Sequence, residues 1–92
     1  MSEELQIELE AVNRAECAGW LSRKLAWQGR RGAPDRAFIG FGRFVLIEFK
    51  RPGEEPIGQQ LREFNRLAKK YSDVHWVDNL ADALEILGVP HG

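Results

Sequence analysis

Glu48 and Lys50, which are separated by a single residue, are the side chains whose types and spacing first point to chemistry. They close an apolar run, residues 44–50, that has the composition of a buried β-strand. Because side chains two apart on a strand point to the same face, this carboxylate and this ammonium are expected to project side by side. Charge at the end of a buried strand is costly unless it is compensated. A structural ion pair and a catalytic site are both compatible with this pair alone.

Asp35 favours the catalytic site. It stands at the entry to a preceding apolar run, residues 37–39, and the Gly-rich segment 40–43 between the two runs is typical of a β-hairpin. In such a hairpin the start of one strand lies beside the end of the next, so Asp35 and Glu48 are expected to converge. Two carboxylates without a neighbouring His or thiol suit Mg²⁺ or Mn²⁺. Such an ion polarises a phosphoryl oxygen and lowers the pKa of a bound water, and Lys50 is suited to orienting that water.

The elements that must position these residues are predicted from apolar periodicity and turn signals. A first amphipathic helix begins at Glu3, with Ser2 as its cap, and ends near Gly19. A short strand or extended segment over residues 21–27 and a Gly/Pro loop over residues 28–35 lead to the hairpin. A second amphipathic helix over residues 58–71, a strand over residues 74–77 and a final helix capped by residues 78–79 complete the chain. The order α-β-β-β-α-β-α predicts an α/β sandwich.

Length and composition narrow the class of protein. The 92 residues predict one domain spanning residues 1–92, and a core this small favours a homodimer. No run of ~18 apolar residues occurs, and the N-terminal residues lack the basic and apolar segments of a secretory signal, so a cytoplasmic protein is expected. A single Cys and two His disfavour a Cys/His zinc site.

The net charge of −1 conceals an uneven distribution of charge. Residues 1–22 carry five acids and one base, residues 23–51 carry eight bases and two acids, and residues 52–92 carry four bases and seven acids. A basic middle third in an otherwise acidic protein is the pattern expected where one face meets phosphates, although a solvated surface with an excess of Arg gives the same count.

The segment Gly32-Ala33-Pro34-Asp35-Arg36, the hairpin, the segment Ile47-Glu48-Phe49-Lys50 and a Gln near the head of the second helix together resemble the VRR-NUC branch of the PD-(D/E)XK nucleases, the small virus-type replication-repair nucleases. The resemblance runs from the first helix through Leu87. It implies a restriction-endonuclease-like α/β sandwich with a central mixed four-stranded sheet. It also implies a DNA endonuclease that depends on Mg²⁺ or Mn²⁺.

Site residues follow from the resemblance position by position. Asp35 and Glu48 match the family's metal-binding acids, the backbone carbonyl of Phe49 is implied as a further ligand, and Lys50 matches the catalytic Lys. The family's Gln is best matched by Gln60.

Two of these matches have a neighbouring alternative. Gln59 is adjacent to Gln60 and competes for the same role. An acid on the first helix is implied near the metal, and Glu4, followed by Ile7, fits that pattern better than Glu8, one turn further along.

The implied partner is DNA, and basic residues around the loop are predicted to contact its phosphates. A minimal stand-alone member resembles structure-selective enzymes, so branched or junction DNA, a homodimer and a bacterial or phage-infected host cell are expected. The alternative hypothesis is a non-catalytic DNA-binding module on a nuclease scaffold. The predicted DNA contacts are Lys24, Arg30, Arg31 and Arg36.

Overall fold

The computed structural model describes residues 1–29 and 32–91, and in these residues the chain forms three helices and four strands in the predicted order. The largest difference from the sequence prediction is at the first strand, which ends at Lys24 and gives way to a loop. The elements are α1 (Glu3–Cys17), β1 (Leu21–Lys24), β2 (Arg36–Gly40), β3 (Arg43–Phe49), α2 (Gly58–Lys70), β4 (Val74–Val77) and α3 (Leu80–Leu87).

Local sequence explains where α1 and α3 begin and end. The Ser2 hydroxyl accepts a hydrogen bond from the backbone N–H of Leu5 over 3.2 Å, and acidic residues occupy the first turn of α1. The Asn79 side chain accepts from the N–H of Asp82 over 2.8 Å at the start of α3. Gly88 ends α3 in the left-handed conformation, which favours glycine.

A two-residue turn joins β2 to β3. Phe41 and Gly42 both have positive φ, 52° and 74°, as a type I′ turn requires, and Gly40 pairs with Arg43 on either side of it. The Phe41 ring is exposed and packs edge-on against Trp20, with ring centroids 5.2 Å apart. This turn fixes the register of the hairpin, and that register sets the site at its opposite end.

The four strands form one mixed sheet in the order β1-β2-β3-β4. β2 pairs antiparallel with both β1 and β3, whereas β4 lies parallel to β3 after the crossover through α2. The sequence prediction of a central mixed four-stranded sheet is therefore confirmed.

The sheet separates two apolar clusters. On one face, α1 and α3 contribute small residues such as Ala11, Ala15 and Ala83, which let the helices lie close to the buried side chains of β2, β3 and β4. On the other face, Phe64 and Leu67 of α2 pack on a smaller cluster. This smaller cluster comprises Ala37, Leu46 and Val74.

No helix in the described part of the chain is long and apolar enough to cross a membrane.

Candidate active site

Asp35 is fixed to the end of β3 by a hydrogen bond from the backbone of that strand. Arg36, the first residue of β2, pairs with Ile47, so Asp35 lies one position further along, beside Glu48. The backbone N–H of Phe49 donates to Oδ2 of Asp35 over 2.8 Å. The hairpin register thus brings together the two carboxylates that stand thirteen positions apart in the chain.

Glu48 is a carboxylate inside the fold, with 6% of its surface exposed. It shares a sheet face with Leu46, which belongs to the cluster beneath α2. Burial, together with the negative charge of Asp35, raises the pKa of Glu48 to about 8 against the lowering effect of Lys50. The pKa of Asp35 is also raised, mainly because burial disfavours its charged form. Two neighbouring carboxyl groups that resist ionisation provide a setting that a bound cation stabilises.

Gln60, in the first turn of α2, links the two catalytic candidates of β3. Its Oε1 accepts a hydrogen bond from Nζ of Lys50 over 2.8 Å, and its Nε2 donates to Oε2 of Glu48 over 3.2 Å. Lys50 and Glu48 therefore meet through this amide rather than in a direct ion pair. The neighbouring Gln59 is exposed and accepts from Arg62, so of the two Gln residues it is Gln60 that the fold brings to the site.

Lys50 is held at the mouth of the site by its backbone as well as by its side chain. Its N–H donates to the carbonyl of Val77 over 2.8 Å, which continues the pairing of β3 with β4 for one residue past the strand end. The positive charge of Lys50 lowers the pKa of both Asp35 and Glu48, so the ammonium acts electrostatically on both carboxyl groups.

The two candidate acids of α1 have different surroundings. Glu8 is buried and pairs with Arg36 over 2.7 Å, on the face of the sheet covered by α1. Glu4 is half-buried and pairs with Arg51 over 3.2 Å. The charge of Glu4 raises the pKa of both Asp35 and Glu48, whereas Glu8 acts on Asp35. Glu4 therefore acts on both carboxyl groups, while Glu8, paired with Arg36, has the larger effect of the two on Asp35.

The donor set of the site suits Mg²⁺ or Mn²⁺. Within residues 1–29 and 32–91, no group of three or more His, Cys, Asp or Glu side chains lies close enough to hold a metal ion, so Glu4 does not complete a three-carboxylate group. Mg²⁺ is commonly bound by one or two carboxylates together with water and substrate phosphates, a requirement that Asp35 and Glu48 meet. Phe49, whose carbonyl is the implied further ligand, lies between Glu48 and Lys50.

The residues predicted to contact DNA lie in different surroundings, and one of them, Arg36, is not free to bind phosphate. The guanidinium of Arg36 also donates to the Ser22 hydroxyl over 3.3 Å, and its side chain is only 13% exposed. This placement does not support the prediction that Arg36 contacts phosphate, because its guanidinium is already paired inside the fold. The partner Glu8 lies 28 positions earlier in the chain, and the sequence did not connect the two residues. Lys24 is exposed at the end of β1. Arg30 and Arg31 lie outside the described residues.

Gly32 lets the loop before Asp35 pack directly on α2. Its φ is +91°, and a Cβ at this position would lie 3.0 Å from Cβ of Glu63 and 3.1 Å from the carbonyl oxygen of Gln59. A larger residue would push the loop away from the helix. The entry to β2 and the first turns of α2 therefore form one continuous surface around the site.

Sequence reasoning missed the basic character of α2. All four bases of residues 52–92 lie on this helix and all are exposed, yet the seven acids of the same stretch concealed them in the charge count. A projection of the helix at 100° per residue, which places them on one side, is the signal that finds them. The four are Arg62, Arg66, Lys69 and Lys70.

Two known proteins are similar to this chain. No family model matches the sequence. A protein of Acyrthosiphon pisum secondary endosymbiont phage 1, named "Putative nuclease p44", is 40% identical to this chain over 62 residues, which cover 66% of this chain and 67% of that protein. A solved structure described as "VRR_NUC domain" is 30% identical, with a TM-score of 0.84 over 96% of this chain and 97% of its own.

Proposed function

The chain belongs to the VRR-NUC family and is a nuclease domain, and from this premise we propose that it is a DNA endonuclease that hydrolyses phosphodiester bonds with Mg²⁺ or Mn²⁺. The observation that carries the proposal is the placement of Asp35 beside the buried Glu48 at the end of the hairpin, where the charges of Asp35 and Lys50 both act on the Glu48 carboxyl group. Burial makes this pair costly in the absence of a cation.

The chemistry divides between the metal and the side chains. A bound Mg²⁺ or Mn²⁺ supplies a Lewis acid that polarises the scissile phosphate and favours ionisation of a water. Asp35 and Glu48 would hold the metal, with the Phe49 carbonyl as a further ligand. Lys50 donates to the attacking water or to a phosphate oxygen, and neutralises charge that develops during the displacement.

Gln60 orients Lys50 in this scheme. An ammonium has three donor hydrogens, so the bond to Gln60 fixes one direction and leaves the others for water and phosphate. Because the same amide also donates to Glu48, a change in Gln60 disturbs Lys50 and the proposed metal ligand Glu48 together. Glu4, which acts on both carboxyl groups, has a secondary role through its charge.

The proposed substrate is branched or junction-containing DNA, and the proposed assembly is a homodimer. A two-fold symmetric dimer presents two active sites to a branched substrate with arms related by similar symmetry. The phage relative supports a bacterial or phage-infected cell as the setting, in which the protein acts in the cytoplasm.

A cleavage panel tests the activity. Four-way junction, flap, single-stranded and plain duplex DNA, together with a covalently closed circle, are incubated with the protein in Mg²⁺, Mn²⁺ or EDTA. We expect cleavage with either metal and none in EDTA, and cutting of the closed circle identifies an endonuclease. DNA binding with no metal-dependent cleavage of any substrate contradicts the proposal and favours a non-catalytic DNA-binding module.

The selectivity and the assembly are tested in the same preparation. Faster cleavage of the junction or flap than of plain duplex supports structure selectivity, and equal rates contradict it. Light scattering of the free protein and of its junction complex measures the mass, and a monomer in both contradicts the homodimer.

A further inference from the structure

The two faces of the sheet carry opposite charge. On one side, α1 has five Glu and one Arg, and α3 has two acids and no base. On the other side, α2 has four bases and one acid. That acid, Glu63, is buried and pairs with Arg66 over 3.5 Å. The surface that α2 presents to solvent is therefore basic.

The active site opens on the basic face. Glu48 lies on the same side of β3 as Leu46, which packs beneath α2, and Lys50 bonds to Gln60 of that helix. DNA that reaches Lys50 and the two carboxylates therefore lies beside α2, while α1 and α3 cover the other face of the sheet and only Glu4 of α1 acts on both carboxyl groups. Attraction to one face and repulsion from the other orient a polyanion before it makes any close contact.

The four bases of α2 form a stripe along the helix. At 100° per residue they fall within about 100° of one another, opposite the residues that pack on the sheet. From the first to the last they span about 12 Å at a rise of about 1.5 Å per residue. Since a DNA strand carries one phosphate per about 3.4 Å of duplex axis, the stripe faces three to four phosphates of one strand.

We propose that the phosphate backbone of the DNA substrate runs from the active site along α2, where Arg62, Arg66, Lys69 and Lys70 contact it without reading its sequence. The inference rests on the proposed function, because it assumes that the scissile phosphate sits at Lys50. The helix α2 then has two roles, because it positions Lys50 through Gln60 and binds the stretch of DNA that extends beyond the active site.

A variant of three bases tests the stripe without disturbing the interior. Arg62→Gln, Lys69→Gln and Lys70→Gln are combined, and Arg66 is kept because it pairs with the buried Glu63. The matched control carries Gln6→Glu, Asn13→Glu and Ala81→Glu, which change the net charge by the same three units at exposed positions on the acidic face.

Binding of a short fluorescein-labelled duplex is measured in EDTA over a range of salt concentrations, so no hydrolysis is needed. Each lost phosphate contact lowers the slope of log K against log[salt] by roughly 0.9, so the slope is expected to fall by about 2 or more. At ~0.1 M salt the Kd is expected to rise on the order of 100-fold. The control is expected to change the Kd less than about 3-fold, because charges on the far face are screened.

The outcomes separate this inference from the proposed function. Equal binding by the two variants overturns the α2 contact even if the wild-type protein cuts DNA. Tight binding that depends on α2, without any cleavage in Mg²⁺, supports the contact and overturns the endonuclease. A wild-type protein that does not bind DNA overturns both.

A single-turnover assay in Mg²⁺ adds a readout that a damaged site would alter. At saturating protein concentration the α2 variant is expected to cleave within about 3-fold of the wild-type rate, because a uniform loss of binding raises the concentration needed for half-saturation rather than slowing the step at the metal. A large drop in the saturated rate contradicts a role confined to DNA binding.

Discussion

Nζ of Lys50 donates a hydrogen bond to Oε1 of Gln60 over 2.8 Å, and this bond joins the end of β3 to the first turn of α2. The ammonium is thereby placed by a helix as well as by its own strand. Since the other end of the Gln60 amide donates to Glu48, the position of α2 bears on two members of the site. We therefore expect the cleavage activity to depend on the position of α2 relative to the sheet.

The two adjacent Gln residues of α2 are expected to respond differently to substitution. Gln60→Ala removes the bonds to Lys50 and Glu48 and is expected to slow cleavage by about 10-fold or more, as loss of a group that orients a ligand does elsewhere. Gln59→Ala alters an exposed side chain and is the matched control. Initial rates in Mg²⁺ measure both variants, and a larger effect at Gln59 would exchange their roles.

The metal is expected to stabilise the fold through Asp35 and Glu48. At a Mg²⁺ concentration of about 100 times Kd, binding adds about 2.7 kcal/mol to the free energy of unfolding and raises the Tm. Glu48→Gln is expected to lose this shift, while Glu55→Gln, at an exposed position, is expected to keep it.

The same variants test whether Glu48→Gln loses the Mg²⁺-induced rise in Tm only because its fold is damaged. Because the pKa of Glu48 is raised in the fold from its ordinary 4.5 to about 8, the metal-free protein loses stability as the pH rises from 4.5 to about 8, and the loss is complete above that range. Glu48→Gln without metal is therefore expected to be at least as stable as the wild type at alkaline pH. A thermal scan that finds it much less stable there would contradict this account of the site.

Of the two candidate acids of α1, Glu8 is expected to affect mainly stability and Glu4 mainly activity. Glu8→Ala leaves Arg36 without its buried partner and is expected to lower the free energy of unfolding by about 3 kcal/mol. Glu4→Ala removes an exposed ion pair and is expected to cost less than about 1 kcal/mol, with a weaker apparent affinity for Mg²⁺ as its main effect. Urea unfolding and Mg²⁺ titration of the cleavage rate measure the two quantities, and the reverse pattern would assign the metal role to Glu8.

Asp73 makes a contribution to stability that depends on pH. Two hydrogen bonds of 3.0 Å from Arg43, and a contact with His75, hold the pKa of Asp73 below its ordinary value of 3.8. The carboxylate therefore stabilises the fold above pH 3.8, and this contribution is lost as the pH falls through the lowered pKa.

The variant Asp73→Asn is expected to lower the Tm at pH 7 and to differ less from the wild type as the medium becomes strongly acidic. Glu85→Gln, at an exposed position of α3, serves as the control. A difference between Asp73→Asn and the wild type that stays constant from neutral to acidic pH would show that the effect is steric rather than electrostatic.

Local rules predicted most of the fold, because its signals are short-range. The turn at residues 40–43 needs two positive φ values, and Gly42 adopts one of them at little cost. The caps at Ser2 and Asn79 lie within three residues of the groups they bind. The shared face of Glu48 and Lys50 follows from the period of a strand. Such features require no knowledge of distant partners.

Longer-range features escaped prediction for a physical reason. The pairing of Arg36 with Glu8 depends on how α1 crosses the sheet, which no local pattern specifies. Gln60 was the better match in the sequence, but Gln59 stayed an alternative because the choice depends on the rotation of α2, which changes by about 100° per residue. The stripe of bases on α2 was present in the sequence, but counting charge over a long segment averaged it with acids that lie elsewhere.

Cleavage of DNA by the wild type and by Asp35→Asn, Glu48→Gln and Lys50→Met, as a function of Mg²⁺ concentration, tests the central claim most directly. The wild type is expected to cut in proportion to metal occupancy. Each variant is expected to be slower by about 100-fold or more, with the fold intact by circular dichroism, because each loses a metal ligand or a charge used in the displacement. Cleavage that persists at the wild-type rate in all three variants, or that proceeds equally in EDTA, would contradict the assignment of the site.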